Sequence, residues 1–206
     1  MAQRIYRFSP PERVAHWLLA GAFFTMLGSG AFVPHHAGWT NLALDTHVGA
    51  AIVLVAGLIV LLVRTRAVRD TFRDLGTLDA DDHAWLSPGR VIQGRPAPPV
   101  GRFNGGQKVN ARLVVLGLTG LYVTGVSILL IGGNPLGGLH GPFALATGVL
   151  AAGHIFMAVI NPSTRHALRG ITLGSVDRTW AAEHHPRWVE QVEHRADETH
   201  QPSNSA

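Results

Sequence analysis

Four histidines stand at the edges of long apolar stretches. His16 precedes Trp17–Val33, His47 heads Thr46–Val63, and His140 and His154 lie within Leu139–Asn161. Imidazole can ligate a metal, carry a proton, or simply hydrogen-bond at an interface. The chain has twelve histidines and no cysteine. Disulfides, Cys-ligated iron–sulfur clusters, structural Cys zinc sites and covalent c-type haem attachment are therefore excluded, and imidazole is the main metal ligand available. Across the twenty residues Gly141 to Ile160, His154 is the only ionisable side chain. An ionisable residue within a bilayer is costly and marks a functional site.

His140 and His154 are 14 residues apart, nearly four turns of helix. Both rings thus leave one stripe of it, about 21 Å apart along its axis. Twenty apolar residues at ~1.5 Å each span the ~30 Å hydrocarbon core, so this stretch reads as a transmembrane helix. Three further apolar runs have similar length, giving spans at about 14–33, 44–63, 111–133 and 139–161. Only 15% of the 206 residues are charged, well below a soluble domain. The expectation is an all-α membrane protein: one four-helix domain over residues 1–195, with an inner loop at 64–110 and an amphipathic tail at 162–195. Residues 196–206 are polar and terminal, and their composition predicts disorder.

The basic residues set the orientation. All 17 Lys and Arg fall in three regions: Arg4 to Arg13, Arg64 to Arg112, and Arg165 to Arg195. With four spans these regions share one side, which the positive-inside rule makes the cytoplasm, with both termini there. The formal charge of +4 then reports topology and attraction to anionic lipid, not nucleic acid. A competing reading takes Arg4–Arg13 as a signal-peptide basic region with a small-residue site near Gly28–Ala31, which would remove His16. With four spans, His16 and His154 lie near the inner surface, and His47 and His140 near the outer one. The membrane histidines pair by depth.

Imidazole is a good axial ligand for haem iron, so each pair can ligate one b-type haem. Gly49, Gly148 and Gly153 offer low-relief helix surface beside these histidines, although small residues also serve ordinary helix packing. Zinc fits less well, with two imidazoles per level and only Asp45 nearby. The alternative of another class is a cofactor-free carrier whose histidines relay protons or bind a divalent ion. Ahead of the third span stands Gly101-Arg-Phe-Asn-Gly-Gly-Gln-Lys108. From residue types alone its Asn-Gly is a chain-reversing turn. Asn104 and Gln107 also provide amide donors suited to a quinone carbonyl, beside glycines that admit close approach. Arg7, Arg13 and Lys108 lie at the level where haem propionates would need neutralising, and equally suit inside-positive anchors.

Five blocks carry a resemblance: Glu12-Arg-Val-Ala-His-Trp17, Thr46-His-Val-Gly49, Phe103-Asn-Gly-Gly-Gln-Lys108, the His140/His154 pair, and Arg178 to Trp188. Together they resemble the gamma subunit of respiratory formate dehydrogenases, a four-helix di-haem cytochrome of the b556 type, over about Arg7 to Trp188. The resemblance implies one haem b on His47 and His140 near the periplasmic face, and one on His16 and His154 near the cytoplasmic face. It implies a menaquinone or ubiquinone site contacted by Asn104, Gly106 and Gln107. It also implies an iron–sulfur subunit and a molybdenum- or tungsten-containing catalytic subunit as partners in a bacterial inner membrane, with formate oxidised on the latter. An anchor cytochrome of a hydrogenase or thiosulfate reductase shares this architecture. In the tail, Trp180, Trp188, Val189 and Val192 suit a helix lying on the inner membrane surface or on a partner. His184 and His185, adjacent and so on different helix faces, read as surface or partner contacts. His35, His36, His83, His166, His194 and His200 read as solvated loop residues.

Overall fold

The computed structural model describes residues 3–32, 40–132 and 135–200, without the side chains of Thr40, Val91, Thr199 and His200. His35 and His36 lie outside the described residues, and so does the side chain of His200. In chain order the elements are β1 (Arg4–Tyr6), α1 (Pro10–Phe32), α2 (Thr40–Arg64), α3 (Arg66–Gly76), α4 (Ala80–Leu86) and α5 (Pro88–Ile92). Then come α6 (Gly105–Ile131), α7 (His140–Ile155), α8 (Leu168–Leu173), β2 (Ser175–Asp177), α9 (Arg178–His184) and α10 (Pro186–His200). A 3-10 turn at Gly137–Leu139 leads into α7, and a π turn at Phe156–Ile160 extends it.

Four helices are long and apolar enough to cross a membrane: α1, α2, α6, and α7 with its flanking turns. They form two hairpins, α1 along α2 and α6 along α7, while contact between the hairpins is sparse. Within a hairpin, glycines receive large side chains, as expected where lipid supplies no hydrophobic drive and close approach must hold helices together. A methyl group on Gly57 would lie 2.5 Å from Leu18, and one on Gly120 would lie 2.5 Å from the Phe143 ring. Gly117 faces Thr147 in the same way. Across the hairpins, the Tyr122 hydroxyl of α6 donates to the Ala51 carbonyl of α2.

A cap closes the basic end. The inner loop folds into α3, α4 and α5, with Val68 of α3 buried. Glu12, in the first turn of α1, accepts from the Ser9 amide at 2.7 Å and from Arg102 at 2.6 Å, and takes the Thr71 hydroxyl as well. Among the described residues, a single two-stranded ribbon departs from an all-α architecture. There β1 pairs antiparallel with β2 in the register Arg4↔Asp177, Ile5↔Val176, Tyr6↔Ser175. Ile5, Val176, Trp180, Ala181, Trp188 and Val189 make the core beneath this ribbon, with Val192 packed on its edge. This corrects the expectation for the tail: its apolar residues are covered by the chain's own first strand, because that strand supplies the apolar partner. Helix α10 also continues to His200, beyond the expected ordered limit.

The glycine holes predict a definite cost. Gly120→Val drives a branched side chain into the Phe143 ring, and should destabilise the α6–α7 hairpin by about 1–3 kcal/mol. Thermal unfolding in detergent reads this as a lowered midpoint, whereas substitution at Gly138, where a methyl group meets nothing, should leave the midpoint in place.

Candidate functional site

The sparse zone between the hairpins is bridged at two levels. His16 of α1 faces His154 of α7 with ring centres 6.1 Å apart, and His47 of α2 faces His140 of α7 at 6.0 Å. An imidazole nitrogen bound about 2 Å from a metal puts the ring centre roughly 3 Å away. Two rings on opposite sides of one ion thus stand ~6 Å apart. Both pairs have that spacing. Among the described residues no three His, Asp or Glu side chains converge as a larger ligand set.

The outer pair is also set in its tautomer. His47 Nδ1 lies 2.9 Å from the Met26 carbonyl. A carbonyl only accepts, so Nδ1 carries the hydrogen and Nε2 keeps its lone pair. His140 Nδ1 lies 2.9 Å from the Thr124 hydroxyl, which donates to the Gly120 carbonyl at 2.7 Å and so accepts from the ring. Thr124 is 1% exposed. Such partners orient a metal-ligating histidine and raise its basicity. The rings rest on glycines: a methyl group on Gly30 would lie 3.2 Å from His47 Cε1, and one on Gly125 would lie 3.3 Å from His140 Cε1. At the inner pair, Trp17 stands edge-on to His16 at 5.2 Å, and its indole N–H points to the Ile171 carbonyl. Gly49, Gly148 and Gly153 face open space. His16 with His154 and His47 with His140, beside glycines that face open space, are residues that would fit a haem between the hairpins.

The residues expected for quinone lie at the start of α6. Asn104 caps the helix: its side-chain oxygen accepts from the Gln107 amide at 2.8 Å, and the Gln107 side-chain oxygen accepts from the Asn104 amide at 3.0 Å. This reciprocal cap uses the oxygens and leaves the two NH2 groups as donors. The neighbouring glycines have a packing role that the sequence did not reveal. A methyl group on Gly105 would lie 2.9 Å from the Asp82 carbonyl, and one on Gly106 would lie 3.0 Å from the Trp85 ring. Helix α4 therefore presses directly on this turn. Lys108 is paired with Asp82 at 2.7 Å and Asp74 at 3.6 Å. Arg13 donates to the Thr172 carbonyl at 2.5 Å, and Arg7 to the Arg102 carbonyl at 2.7 Å.

His185 is not the surface residue expected. It is 3% exposed, its Nδ1 donates to the Gly101 carbonyl at 2.8 Å, and its Nε2 accepts from Arg7 at 3.2 Å. Burial, then the Arg7 charge, pushes its pKa down to about 3. Burial, then Arg102, lowers Arg7 to about 9. His184 stacks on Trp180 at 4.8 Å. Arg187 pairs with Asp79 at 2.8 Å and with Asp81. The tail thus holds the segment before α6 through His185, and α4 through Arg187. The clustering of His185, Arg187 and Trp188 around Pro186 was the only signal in the sequence.

A helical membrane protein with two opposed imidazole pairs between its helix hairpins has the make-up of a membrane cytochrome b. The chain belongs to the prokaryotic cytochrome b561 family, whose profile matches residues 7–174. It is similar to the formate dehydrogenase cytochrome b556 subunit of Haemophilus influenzae, 28% identical over 91% of this chain and 83% of that one. It is also similar to two proteins of Escherichia coli K12. The formate dehydrogenase cytochrome b556(fdo) subunit is 27% identical over 91% of this chain and 93% of that one. The nitrate-inducible formate dehydrogenase cytochrome b556(Fdn) subunit is 27% identical over 88% of each chain.

The His185 pKa carries a pH prediction. The neutral ring is favoured in the folded state, so its contribution is complete above the ordinary value of 6.5 and is lost as pH falls towards about 3. At pH 5 the tail should be held roughly 2 kcal/mol less firmly. Protection of residues 178–192 against hydrogen exchange, taken relative to the intrinsic rate at each pH, should fall on acidification in the parent chain and lose that dependence in His185→Gln; a matching acid profile in the variant would contradict it.

Proposed function

We propose that this chain is the membrane-anchoring electron-transfer subunit of a formate dehydrogenase complex. It carries electrons from an iron–sulfur subunit on the outer side to quinone at the cytoplasmic face. The observation that carries this reading is the pair of imidazole couples, at 6.0 and 6.1 Å, bridging the two hairpins. His47 and His140 hold an outer haem b and His16 and His154 an inner one. Haem b, when bound, supplies reversible one-electron chemistry. The chain's own work is to keep each Nε2 free and aimed, as the Met26 carbonyl and Thr124 hydroxyl do for the outer pair. The surrounding apolar helices exclude water, and with the neutral ligands they tune the potential.

Residues 1–195 act as a single domain in the bacterial inner membrane with both termini cytoplasmic, as the distribution of Lys and Arg supports. Menaquinone or ubiquinone binds at the head of α6, beside Gly106, with Asn104 and Gln107 donating to a carbonyl. Formate oxidation belongs to a molybdenum- or tungsten-containing partner subunit; the names of the relatives support only membership of a formate dehydrogenase.

The purified complex should show a b-type absorption band on dithionite reduction, with two haems per chain. His154→Ala should leave one haem and no quinone reduction. Asn104→Ala should keep both haems and weaken quinone binding roughly tenfold, the scale of one hydrogen bond. Quinone reduction persisting without the inner haem would overturn the proposed order.

A further inference from the structure

We infer that Lys108, held between Asp82 and Asp74, delivers protons to the quinone at the head of α6; this rests on the quinone site proposed above. Reducing a quinone takes two electrons, which the formate-driven complex supplies, and two protons, and forms two O–H bonds. Protons must therefore cross from cytoplasmic water to a buried turn. Lys108 directly follows Gln107, and its side chain is 6% exposed beside an Asp82 carboxylate that is 5% exposed. Its other neighbour, Asp74 of α3, is 39% exposed and reaches water. A solvent-linked carboxylate, a buried ammonium and a buried carboxylate thus stand in sequence behind the residues that would hold the quinone.

The other ionisable groups here are already committed. Asp79 of α4, lowered to about 2 chiefly by its bond from the Asp82 amide, also pairs with Arg187 of α10. Asp81 pairs with Arg187 too. Glu12 is engaged by Ser9, Thr71 and Arg102. Arg112 donates to the Gly76 carbonyl at 2.5 Å. For each proton delivered, one N–H bond of Lys108 breaks and one quinone O–H bond forms. The neutral amine then takes a proton from water by way of Asp74, and the cycle runs twice per quinol. An ammonium on a flexible stem can do this, whereas a guanidinium stays charged.

Lys108→Arg separates this role from a structural one, because arginine keeps the charge and the ion pair. In the intact complex, with formate as donor and a water-soluble naphthoquinone as acceptor, the variant should retain both haems and a quinone KM within about twofold. Its turnover should fall at least tenfold, on the scale of lost acid–base catalysis, with a larger solvent deuterium effect. Turnover and isotope effect equal to the parent's would overturn the relay. If the arginine variant loses haem, Asp74→Asn at the water-facing end should also slow turnover with haems intact, and an unchanged rate there would equally overturn it. A parent complex whose reduced haems are not oxidised by the quinone would instead sink the quinone site itself.

Discussion

Imidazole placed in hydrocarbon must satisfy both of its nitrogens, and the membrane half of this protein is organised around that requirement. His47 and His140 each commit Nδ1 to an oxygen on the neighbouring helix of their own hairpin. What remains is an Nε2 lone pair on a ring opposed by another ring 6.0 Å away. A buried polar atom without a partner costs about 1–3 kcal/mol. Under the proposed function, a haem iron held between the rings would accept those lone pairs. The glycine holes that draw α1 to α2 and α6 to α7 bring the rings' helices into register.

The cap at the basic end solves a different problem, since it must order charge where the spans leave the membrane. Its ion pairs join segments far apart in the chain: Glu12 with Arg102 and Lys108 with Asp82, which are largely buried, and Arg187 with Asp79 and Asp81, which are partly exposed. Breaking one partner of a buried pair leaves an uncompensated charge and costs about 3–5 kcal/mol. The head of α6 is therefore a braced turn, held from behind by α4 and from the side by the tail. Such rigidity keeps the Asn104 and Gln107 donors in one geometry.

Much of the membrane half was legible because its physics is one-dimensional. Apolar run length gave the four spans, and with the basic residues taken to lie on one side, the topology paired His16 with His154 and His47 with His140 by depth. The structure brings the rings of each pair to about 6 Å of one another, inclined at 58° and 63°. The cap was not legible in this way. Asp82 and Lys108, or Arg7 and His185, meet only through tertiary contact, and no periodicity marks them. Short helices such as α4 depend on the Asp79–Asp82 capping box and on packing against Gly105 and Gly106. Those glycines, which in the sequence suggest close approach of a ligand, also admit the close approach of α4. Gly30 and Gly125, which seat two of the rings, carried no local mark to set them apart from the other glycines.

The most direct test is low-temperature electron paramagnetic resonance of the oxidised protein, with iron counted in the same sample. Opposed imidazole pairs predict two irons per chain, both low-spin and six-coordinate with nitrogen on each axial side. A high-spin, five-coordinate signal, or a single iron per chain, would contradict the two-level arrangement.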